Sequence, residues 1–550
     1  MPSLTFDDVS VVYSSHSDTG RGHINAVRGV SFTLPARGTL GIAGESGSGK
    51  STLAMSVLRL LPRNATVTGR ILLDDRDVLG LSWGALRTVR WGEASVVFQG
   101  AMHSLNPVQR VGKQIIEALE LHAKDNYNTA MSREARMLEL LGLVDLSGVK
   151  ARQYPHQLSG GQRQRVMIAM ALACDPELII ADEPTTALDV IVQAQVLEVL
   201  ANLVRERGLS LLMISHDLSV LGSVCDRIGV MYQGELVEIG PSSDIIANPQ
   251  HPHTQTLAAA FPTIGDPASR FLPVSRQGTG TIPVVASGSV QVAPTPPGAV
   301  MLSARHVSVA FHTSSGPLKA VDDVDLNCRE GEIVALVGQS GSGKTTLART
   351  LLGLQQPSSG EVLFRGQPLL RTTKGLKAYR RLVQLIPQDP AGALNPKHSV
   401  YDSVAEGIRI HQLPGDERDR VAQALTAAEL TPPHEFFRAI PQELSGGQCQ
   451  RVVIAGALAL GPSFLVADEP VASLDASVRG EILALLLRLR RELGLGALII
   501  THDLGLAWNI ADRVMVMHEG RIVESGTVAD VLLNPQHDYT RKLLAAVPSS

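Results

Sequence analysis

The amino-acid sequence predicts an α/β protein that consists of two copies of one domain. The stretch Leu158–Asp189, which begins with LSGGQ, recurs 286 residues later as Leu444–Asp475, and such self-similarity indicates a duplicated unit. In the first copy a run with helical spacing, Gln162–Ala173, follows a glycine pair, and the short apolar run Leu178–Ala181 comes next. An apolar run too short for a helix is typical of a buried parallel strand. Strands of this kind that alternate with helices favour an α/β fold.

Composition and charge place the chain among ordinary globular proteins. With 550 residues, 44% hydrophobic and 19% charged, the chain can bury several cores, and its length predicts two to four domains. The net charge of −4 gives no basic surplus, so nucleic-acid binding is not favoured. The N-terminal residues lack a basic and apolar leader, and no apolar run reaches the roughly 18 residues that a membrane helix requires. We therefore expect a cytosolic protein that does not cross a membrane by itself.

The four cysteines are widely separated, and none belongs to a Cys-x-x-Cys pair. This pattern argues against disulfides and against a cysteine metal site, and it is typical of a reducing compartment. We expect all four to be structural: Cys174, Cys225, Cys328 and Cys449.

The N-terminal segment predicts an antiparallel pair of strands. Residues Leu4–Tyr13 and Gly29–Leu34 have strand patterns, and we predict that the polar stretch Ser14–Gly22 joins them as a loop. Tyr13 closes the first strand, and Phe311 has the corresponding place in the second copy. Such an aromatic could stack on a nucleotide base, although a single aromatic in a strand is more often part of the core.

A phosphate-binding loop follows in each copy. The strand Thr39–Ala43 leads into Gly44–Ser51, which fits the pattern G-x-x-x-x-G-K-[ST], and we predict that the helix Thr52–Leu61 comes next. The second copy repeats the motif as Gly338–Thr345 after the strand Ile333–Val337. A strand, this loop and a helix in this order are the context that identifies a P-loop. Two matches with correct flanks make coincidence negligible.

The residue types of the P-loops suit the phosphates of a nucleotide. Glycines allow successive backbone amides to surround the phosphates, Lys50 reaches the β and γ phosphates as a point charge, and the Ser51 hydroxyl ligates Mg²⁺. Lys344 and Thr345 take these roles in the second copy. The predicted nucleotide-binding residues of the two loops are Gly44, Glu45, Ser46, Gly47, Ser48, Gly49, Lys50, Ser51 and Thr52, and Gly338, Gln339, Ser340, Gly341, Ser342, Gly343, Lys344, Thr345 and Thr346.

A glutamine ends a short predicted strand after each P-loop. The strand is Val96–Gln99 in the first copy and Leu385–Gln388 in the second, and helical segments follow in both. Beside a phosphate site a glutamine amide could contact Mg²⁺ or the attacking water, and the alternative is a capped strand end. Because both copies have this feature, we favour the functional interpretation for Gln99 and Gln388.

The repeated stretch itself contains an anion site and a carboxylate pair. Its glycines let the backbone approach a ligand, and the helix that follows offers free amides to an anion. The carboxylates follow a buried strand at its carboxyl end, where ligands of α/β sheets bind. An aspartate that holds a metal and a glutamate that acts as a base would explain the pair, and two solvated loop acids are the alternative. The residues are Ser159, Gly160, Gly161, Gln162, Asp182 and Glu183, and Ser445, Gly446, Gly447, Gln448, Asp468 and Glu469.

A histidine ends the next strand of each copy. The predicted helix Val190–Arg207 leads to the strand Leu211–Ser215 and then to His216, and the strand Ala497–Thr501 leads to His502. A single histidine is usually structural. A histidine at the end of the strand that follows the Asp-Glu strand is, however, placed to reach a γ-phosphate, so we predict a role at the nucleotide site for both.

The ordered set of P-loop, glutamine, LSGGQ, Asp-Glu strand and histidine resembles the ATP-binding subunit of ABC transporters, and both copies contain all of it. More specific elements resemble the dipeptide, oligopeptide and nickel importer family of bacteria, here with its two ATPase subunits fused. These elements are Ser104–Pro107, Ala393–Pro396, Asn248–Thr254 and Asn534–Thr540.

The sequence departs from this family's pattern at a few positions. Ala393 replaces the usual serine, Cys449 replaces the arginine of the first copy, and Asp538 replaces a proline. Many relatives carry a cysteine cluster for an iron–sulfur centre after the His-Pro element, whereas no cysteine lies between Cys225 and Cys328 here. We therefore predict that no iron–sulfur cluster is bound.

The resemblance and the composition together predict three segments: a first ABC ATPase domain at 1–261, a linker at 262–300 and a second ABC ATPase domain at 301–550. The linker is rich in proline and poor in charge, which is typical of an extended tether. The resemblance implies that each domain has a RecA-like core, an antiparallel β-subdomain and an α-helical subdomain.

The resemblance also implies that two ATP molecules are each bound between the P-loop of one half and the LSGGQ of the other. Gly44–Ser51 would pair with Ser445–Gln448, and Gly338–Thr345 with Ser159–Gln162. The implied roles are Mg²⁺ binding by Asp182 and Asp468, polarisation of the attacking water by Glu183 and Glu469, contact with the γ-phosphate by His216 and His502, and adenine stacking by Tyr13 and Phe311.

The implied partners are two transmembrane permease subunits, which the helical regions after Gln99 and Gln388 would contact, and an extracytoplasmic substrate-binding protein. The chain would be a peripheral protein at the cytoplasmic face of the bacterial cell membrane that binds ATP and Mg²⁺ and no nucleic acid. The resemblance implies ATP hydrolysis coupled to peptide import, with nickel, glutathione or haem as alternative cargo.

A soluble tandem ABC ATPase that acts on ribosomes or DNA is the alternative of another class. Ribosome-acting members have a charged helical linker and DNA-repair members have zinc-binding cysteine sets, and the sequence has neither. Tandem sugar-importer ATPases usually lose catalytic residues in one half, whereas Glu183 and Glu469 are both present. We therefore expect a transport ATPase.

Overall fold

A computed structural model shows two compact units, one that extends to Ala259 and one that extends to Val547. Most of the predicted linker, residues 272–297, lies outside the residues that the structure describes. The described residues are 3–17, 20–100, 104–123, 126–186, 188–259, 264–271, 298–313, 316–472 and 474–547.

The strands of the first unit form two sheets. These strands are β1 (Leu4–Ser17), β2 (Gly20–Leu34), β3 (Thr39–Ala43), β4 (Ala65–Leu73), β5 (Arg76–Asp77), β6 (Ala94–Val97), β7 (Leu178–Asp182), β8 (Ser210–Ile214), β9 (Arg227–Tyr232) and β10 (Glu235–Pro241). The core sheet has the order β10-β9-β3-β8-β7-β6, and its pairs are parallel except at β10. Strands β3, β7 and β8 are buried over their whole length, and their residues are accordingly apolar except for one polar residue at an end of each.

The second sheet of this unit is antiparallel, with the order β2-β1-β4-β5. Its apolar side shares one cluster with the core sheet, in which Phe6 and Ile42 are both buried. The predicted loop Ser14–Gly22 is wrong in extent, since β1 and β2 continue to within three residues of each other. Strand pairing at the end of a hairpin depends on backbone hydrogen bonds and does not require apolar side chains. The polar sequence therefore gave no signal that the strands continue there.

The helices of the first unit are α1 (Lys50–Val57), α2 (Trp83–Gly92), α3 (Val111–His122), α4 (Ala130–Leu143), α5 (Gly160–Ala171), α6 (Val190–Arg207), α7 (Leu218–Val224), α8 (Ser242–Ala247) and α9 (Pro252–Ala259). Helices α3, α4 and α5 pack together as a helical subdomain. The predicted helix Thr52–Leu61 is shifted, because the chain leaves the helix before Arg59, whose φ is +51°. The helix predicted over Gln162–Ala173 begins earlier because Ser159 caps it.

The second unit repeats this arrangement. Its strands are β11 (Val300–Thr313), β12 (Gly316–Arg329), β13 (Ile333–Val337), β14 (Ser359–Phe364), β15 (Gln367–Pro368), β16 (Val383–Ile386), β17 (Phe464–Asp468), β18 (Gly496–Thr501), β19 (Arg513–His518) and β20 (Arg521–Thr527). The core sheet has the order β16-β17-β18-β13-β19-β20, and the antiparallel sheet has the order β12-β11-β14-β15. Strands β6 and β16 end before the glutamines that were predicted to close them.

The helices of the second unit are α10 (Lys344–Leu351), α11 (Thr373–Leu382), α12 (Pro390–Ala393), α13 (Val400–His411), α14 (Glu417–Ala427), α15 (Pro433–Phe436), α16 (Gly446–Leu458), α17 (Ala476–Leu493), α18 (Leu504–Ile510), α19 (Val528–Leu533) and α20 (Asp538–Ala545). Helices α13, α14 and α16 form its helical subdomain. Within the described ranges, no helix is both long enough and apolar enough to span a membrane.

The beginning of the predicted linker is not an extended tether. Residues 264–271, here called the strap, contain the short 3₁₀ helix Pro267–Ser269 and belong to the second unit. The prediction failed for the strap because proline content indicates the conformation that a segment prefers in isolation. It does not show whether the segment packs on a neighbouring surface.

The surface that receives the strap is α18. The indole Nε1 of Trp508 donates to Asp266 O and to Ser269 Oγ, each at 3.0 Å. The Arg270 guanidinium lies 5.3 Å from the centre of the Trp508 ring, within the range of a cation–π contact, and Nη2 of Arg270 donates to Ala511 O at 2.8 Å. In the first copy the position of Trp508 is occupied by Gly222, so this surface is particular to the second unit.

Candidate functional site

Each P-loop connects the first strand of the core sheet to a helix that begins at the loop's lysine. Gly49 has a φ of +99°, and a Cβ at this position would lie 2.2 Å from Ala26 O. Gly343 has a φ of +105° and the same restriction, with Ala320 O at 2.1 Å. Only glycine fits both conditions, which explains why the last glycine of the motif is required where the loop enters the helix.

The P-loop lysines are buried against their own loops. Lys50 and Lys344 are each 6% exposed. Nζ of Lys50 donates to Glu45 O at 2.6 Å, and Nζ of Lys344 donates to Gly338 O at 2.8 Å and Gln339 O at 2.7 Å. These carbonyls hold the ammonium group at the loop, where a phosphate would meet a cation that is already desolvated and oriented.

The first carboxylate of each Asp-Glu pair faces the hydroxyl of the P-loop. Ser51 Oγ donates to Asp182 Oδ1 at 3.0 Å. Burial raises the pKa of Asp182 above its ordinary value, and the Ser51 hydrogen bond offsets this only in part. Burial likewise raises the pKa of Asp468 against the hydrogen bond from Thr345. A carboxylate and a hydroxyl oxygen in contact form the kind of hard oxygen donor set that Mg²⁺ prefers, so these residues fit the metal.

The second carboxylate of the first unit faces a glutamine and a histidine. Glu183 accepts from Gln99 Nε2 at 2.7 Å and from Thr186 Oγ1 at 2.8 Å, and its Oε1 lies 3.4 Å from His216 Nδ1. Burial would raise the pKa of Glu183, but the hydrogen bond and charge of His216, together with Thr186, lower it overall. Three predicted site residues from three strand ends therefore meet here.

The second unit repeats the glutamine and histidine contacts, with the histidine closer to the glutamate. Glu469 accepts from Gln388 Nε2 at 2.8 Å, and its Oε1 lies 3.0 Å from His502 Nδ1. Desolvation lowers the pKa of His502, but the hydrogen bond and charge of Glu469 outweigh it and raise the pKa above its ordinary value. Burial would raise the pKa of Glu469, and His502 lowers it overall.

The LSGGQ sequences form the first turns of α5 and α16. Ser159 Oγ accepts from Gln162 N at 3.3 Å, and Gln162 Oε1 accepts from Ser159 N at 3.2 Å, which is a capping box. Ser445 and Gln448 form the same pair of bonds. The serine and glutamine of the motif thus have a structural task at the helix N-terminus.

The second glycine of each motif also has a reason within the fold, in addition to the predicted approach to a ligand. A Cβ on Gly161 would lie 2.1 Å from Val192 Cγ1, and a Cβ on Gly447 would lie 2.4 Å from Val478 Cγ1. These glycines let α5 and α16 pack closely on α6 and α17. Cys449 is buried on α16, and its Sγ donates to Pro441 O at 3.6 Å.

The two aromatics predicted to stack on adenine have different surroundings. The Tyr13 hydroxyl is hydrogen-bonded to Thr52 Oγ1 at 3.1 Å, and its ring packs partly on the core cluster of the first unit. Phe311 is 38% exposed. Each lies opposite an exposed aliphatic side chain of the neighbouring strand, Ile24 for Tyr13 and Leu318 for Phe311.

A carboxylate that sequence reasoning missed anchors the family-specific C-terminal motif of each copy. Glu238 on β10 accepts from Gln250 N at 2.9 Å and His251 N at 3.0 Å. Burial would raise the pKa of Glu238, but the nearby Thr254 hydroxyl and the hydrogen bonds from these two amides lower it overall. The signal in the sequence was a glutamate twelve residues before the glutamine of the motif, found in both copies.

The second unit repeats this anchor with Glu524 on β20. Its carboxylate accepts from Gln536 N at 2.7 Å and His537 N at 3.1 Å. The anchored motif brings an aromatic ring to the end of β19, where Tyr539 stacks on His518 with ring centres 3.8 Å apart. In the first unit His253 packs against Tyr232 with ring centres 4.2 Å apart and an angle of 33° between the planes, so the order of the two ring types is reversed.

Comparison with known proteins agrees with these observations. The ABC transporter family model matches residues 27–186 and 321–472. The model of the oligopeptide/dipeptide transporter C-terminal region matches residues 237–282 and 523–550, the parts that contain the anchored motifs.

The chain is also similar to named proteins over most of its length. The glutathione import ATP-binding protein GsiA of Escherichia coli (strain K12) is 44% identical over 547 residues, covering 96% of this chain and 87% of that protein. The protein of the same name from Shigella flexneri is similar to the same degree, 44% over 547 residues with 96% and 87% covered. Among solved structures, cbiO1 of the ABC transporter complex cbiONQ from Clostridium perfringens is 33% identical, covers 43% of this chain and 91% of its own, and has a TM-score of 0.39.

The two matched segments contain the P-loops and the Asp-Glu strands, and each unit has a parallel core sheet, an antiparallel sheet and a helical subdomain. The chain therefore belongs to the ABC transporter family, as an ATP-hydrolysing, ATP-binding subunit of the importer type with two ABC ATPase domains and two C-terminal regions of the oligopeptide/dipeptide kind.

Proposed function

We propose that this chain powers the import of small peptides, glutathione among them, through separate permease subunits. The assignment of the cargo rests on the 44% identity, over 96% of the chain, to proteins named for glutathione import. The match to the C-terminal region of oligopeptide/dipeptide transporters supports peptides as the wider class, because glutathione is itself a tripeptide. Nickel and haem, considered as alternatives on sequence grounds, have no comparable support.

In this proposal each unit binds the phosphates of one ATP at its P-loop. Lys50 and Lys344 neutralise the β and γ phosphates, and the loop amides surround them. Ser51 with Asp182, and Thr345 with Asp468, would hold Mg²⁺, with Gln99 and Gln388 nearby. A bound Mg²⁺ supplies neutralisation of charge on the phosphate oxygens. The Ser51–Asp182 contact at 3.0 Å supports this assignment.

Glu183 and Glu469 are proposed to accept the proton of the attacking water. A glutamate with a lowered pKa is ionised at neutral pH and ready to accept a hydrogen bond from water. Gln99 and His216 orient the carboxylate in the first unit, as Gln388 and His502 do in the second. The histidines would then turn toward the γ-phosphate when nucleotide is bound.

We further propose that the LSGGQ residues Ser159–Gln162 and Ser445–Gln448 also bind nucleotide phosphate. The capped N-termini of α16 and α5 support this, because a helix N-terminus offers backbone amides to an anion. Tyr13 and Phe311 are proposed to contact the adenine, with Ile24 and Leu318 extending the apolar surface beside them.

The permease contact is proposed to lie at the helical subdomains. In the first unit Asn106 Oδ1 accepts from Val108 N at 3.1 Å, and Gln114 bonds the backbone of Asn106. This turn presents the Val108 side chain, which is 82% exposed. The remaining partners in this proposal are a second permease subunit and an extracytoplasmic binding protein, which place the chain at the cytoplasmic face of the membrane.

Uptake measurements test the proposed cargo. Cells that lack this chain should lose uptake of labelled glutathione or dipeptide, and the wild-type gene should restore it while a Lys50→Met, Lys344→Met double variant should not. Unchanged peptide uptake in the deletion strain, together with loss of nickel or haem uptake, would overturn the cargo assignment. Co-purification with ribosomes instead of membrane subunits would overturn the transport function.

A further inference from the structure

Tyr539 connects the C-terminal motif of the second unit to its P-loop. The Tyr539 hydroxyl accepts a hydrogen bond from Gln339 N at 2.9 Å, and Gln339 is the second residue of the loop. Tyr539 is 6% exposed, so this bond lies in a protected environment where hydrogen bonds are stronger than in water.

The same segment of the loop holds the P-loop lysine. The carbonyls of Gly338 and Gln339 accept from Lys344 Nζ at 2.8 and 2.7 Å. The amide of Gln339 is bound by Tyr539 on one side of the residue while its carbonyl binds Lys344 on the other. A change in the position of the Tyr539 hydroxyl would therefore move the carbonyl that orients the lysine.

Tyr539 is itself held rigidly. Its backbone N–H donates to His537 Nδ1 at 3.1 Å, and Glu524 holds the backbone of the preceding residues. The ring stacks on His518 with an angle of 19° between the planes. A ring fixed by a cap, a carboxylate and a stacking partner keeps its hydroxyl in one place, as a positioning group requires.

The first unit has the same scaffold with the ring types exchanged. His253 takes the place of Tyr539, and Tyr232 takes the place of His518. An imidazole therefore stands where the second unit has the phenol that binds Gln339, although the sequences of the two P-loops are alike.

We propose that Tyr539 is a positioning residue of the second ATP site: its hydroxyl fixes the Gln339 amide and so links the C-terminal region to the loop that binds the phosphates. The effect on ATP rests on the proposed function of Gly338–Thr345. The effect on the loop itself does not, because it follows from the bond between Tyr539 and Gln339 alone.

Tyr539→Phe in the full-length chain tests the proposal, since it removes the hydroxyl and keeps the stacked ring. Hydrogen exchange followed by mass spectrometry should show faster exchange in the peptide that contains Gln339, by roughly two- to tenfold as expected for loss of one hydrogen bond. In a Lys50→Met background, which disables the first site, the Kd for ATP should rise by a similar factor. In the chain with both sites intact, Tyr539→Phe should change KM more than kcat.

Two further variants separate the hydroxyl from general effects on the fold. Tyr401→Phe removes a tyrosine hydroxyl that is bonded to Glu417 at 3.0 Å in the helical subdomain, and it should change neither readout. The exchange of rings, His518→Tyr with Tyr539→His, copies the first unit's pair. It should behave like Tyr539→Phe if the hydroxyl acts on the loop, and like the wild type if stacking alone matters.

Equal exchange rates and equal ATP affinity in Tyr539→Phe and the parent would overturn the positioning role. Failure of the Lys50→Met parent to bind ATP would overturn the proposed second ATP site instead. Faster exchange at Gln339 with unchanged ATP affinity would show that the hydroxyl fixes the loop without serving the nucleotide, and would overturn the proposal as stated.

Discussion

Glu183 and Glu469 have a backbone conformation that glutamate rarely adopts, with φ of +44° and +47°. A residue held in this region costs on the order of 1–3 kcal/mol and persists only where its surroundings enforce it. Here the backbone N–H of Glu183 bonds Ile214 O at 3.0 Å and that of Glu469 bonds Ile500 O at 2.9 Å. The turn separates the two acids of each pair, so that Asp182 faces Ser51 while Glu183 faces Gln99.

The pairing of Glu469 with His502 leads to a prediction about pH. Because Glu469 raises the pKa of His502, the imidazole is charged below that pKa and loses its proton as the pH rises through it. Glu469→Gln should remove the negative charge that raises the pKa of His502. The titration of His502 should then shift to lower pH, since the desolvation that lowers its pKa remains. The C2-proton resonance of His502, assigned with a His502→Gln variant, measures the shift. An unchanged titration would contradict the assigned cause.

A second prediction at this scale concerns the two glutamates as bases. Loss of a general base typically lowers the rate by about 10²–10⁴. If opening of the ATP-bound state requires hydrolysis at both sites, Glu183→Gln and Glu469→Gln should each abolish nearly all steady-state ATPase activity. Single-turnover cleavage should then show one competent site in each variant.

Retention of about half the steady-state activity in each variant would instead show independent sites. Complete absence of single-turnover cleavage in Glu469→Gln, with nucleotide bound, would show that the site of Lys50 is inert. Glu177→Gln, which changes a glutamate outside these sites, serves as the control.

The residues of the P-loops and the acids could be predicted from sequence because their spacing is local. The bond between Gln99 and Glu183 could not, since it depends on β6 and β7 being neighbours, which no local pattern reveals. The same holds for Tyr539, whose partner Gln339 is 200 residues away.

At the scale of elements, the glycines of the LSGGQ motifs determine how two helices pack. Gly161 lies on α5 where that helix contacts Val192 of α6. Any other residue at this position would add a side chain that overlaps with Val192. To remove the overlap, α5 and α6 would have to separate. The sequence predicted both helices, but it could not show that the motif's second glycine faces a helix.

Gly161→Ala should therefore destabilise the first unit. Overpacking of this kind typically costs about 1–3 kcal/mol, and differential scanning calorimetry should show a lower Tm. Val192→Ala in the same chain removes the overlapping methyl groups and should recover part of the loss. Gly142→Ala is the matched control, because a Cβ there meets nothing within 4 Å and alanine favours the helix; a fall in Tm as large as that of Gly161→Ala would refute the packing argument.

At the scale of the whole molecule, two complete sets of site residues lie in one chain, as the repeated sequence predicted. The units differ outside these sets, and the contacts that result from these differences could not be predicted from the sequence. Trp508 in place of Gly222 creates a surface for the strap, and Tyr539 in place of His253 provides the hydroxyl that binds Gln339. Both are effects of long-range contacts.

The proposed permease contact gives a prediction for the assembled transporter. Val108→Asp should reduce transport severalfold or more, because a charge would be buried at an apolar contact, while ATP hydrolysis by the isolated chain stays near the wild-type rate. Leu370→Asp is the control, since Leu370 is also exposed, at 69%, but lies outside the helical subdomains. An equal loss of transport and of ATPase activity in Val108→Asp would contradict the docking assignment.

The contact between the strap and α18 has an optical consequence. The chain has three tryptophans, and Trp508 is buried, at 3% exposed, on the helix that begins two residues after His502. Its indole is hydrogen-bonded to the strap and lies beside the Arg270 cation, so its emission depends on both. With Trp83 and Trp91 replaced by phenylalanine, the fluorescence of Trp508 becomes an intrinsic reporter of the segment next to His502. Its change on addition of ATP can be followed without any attached dye.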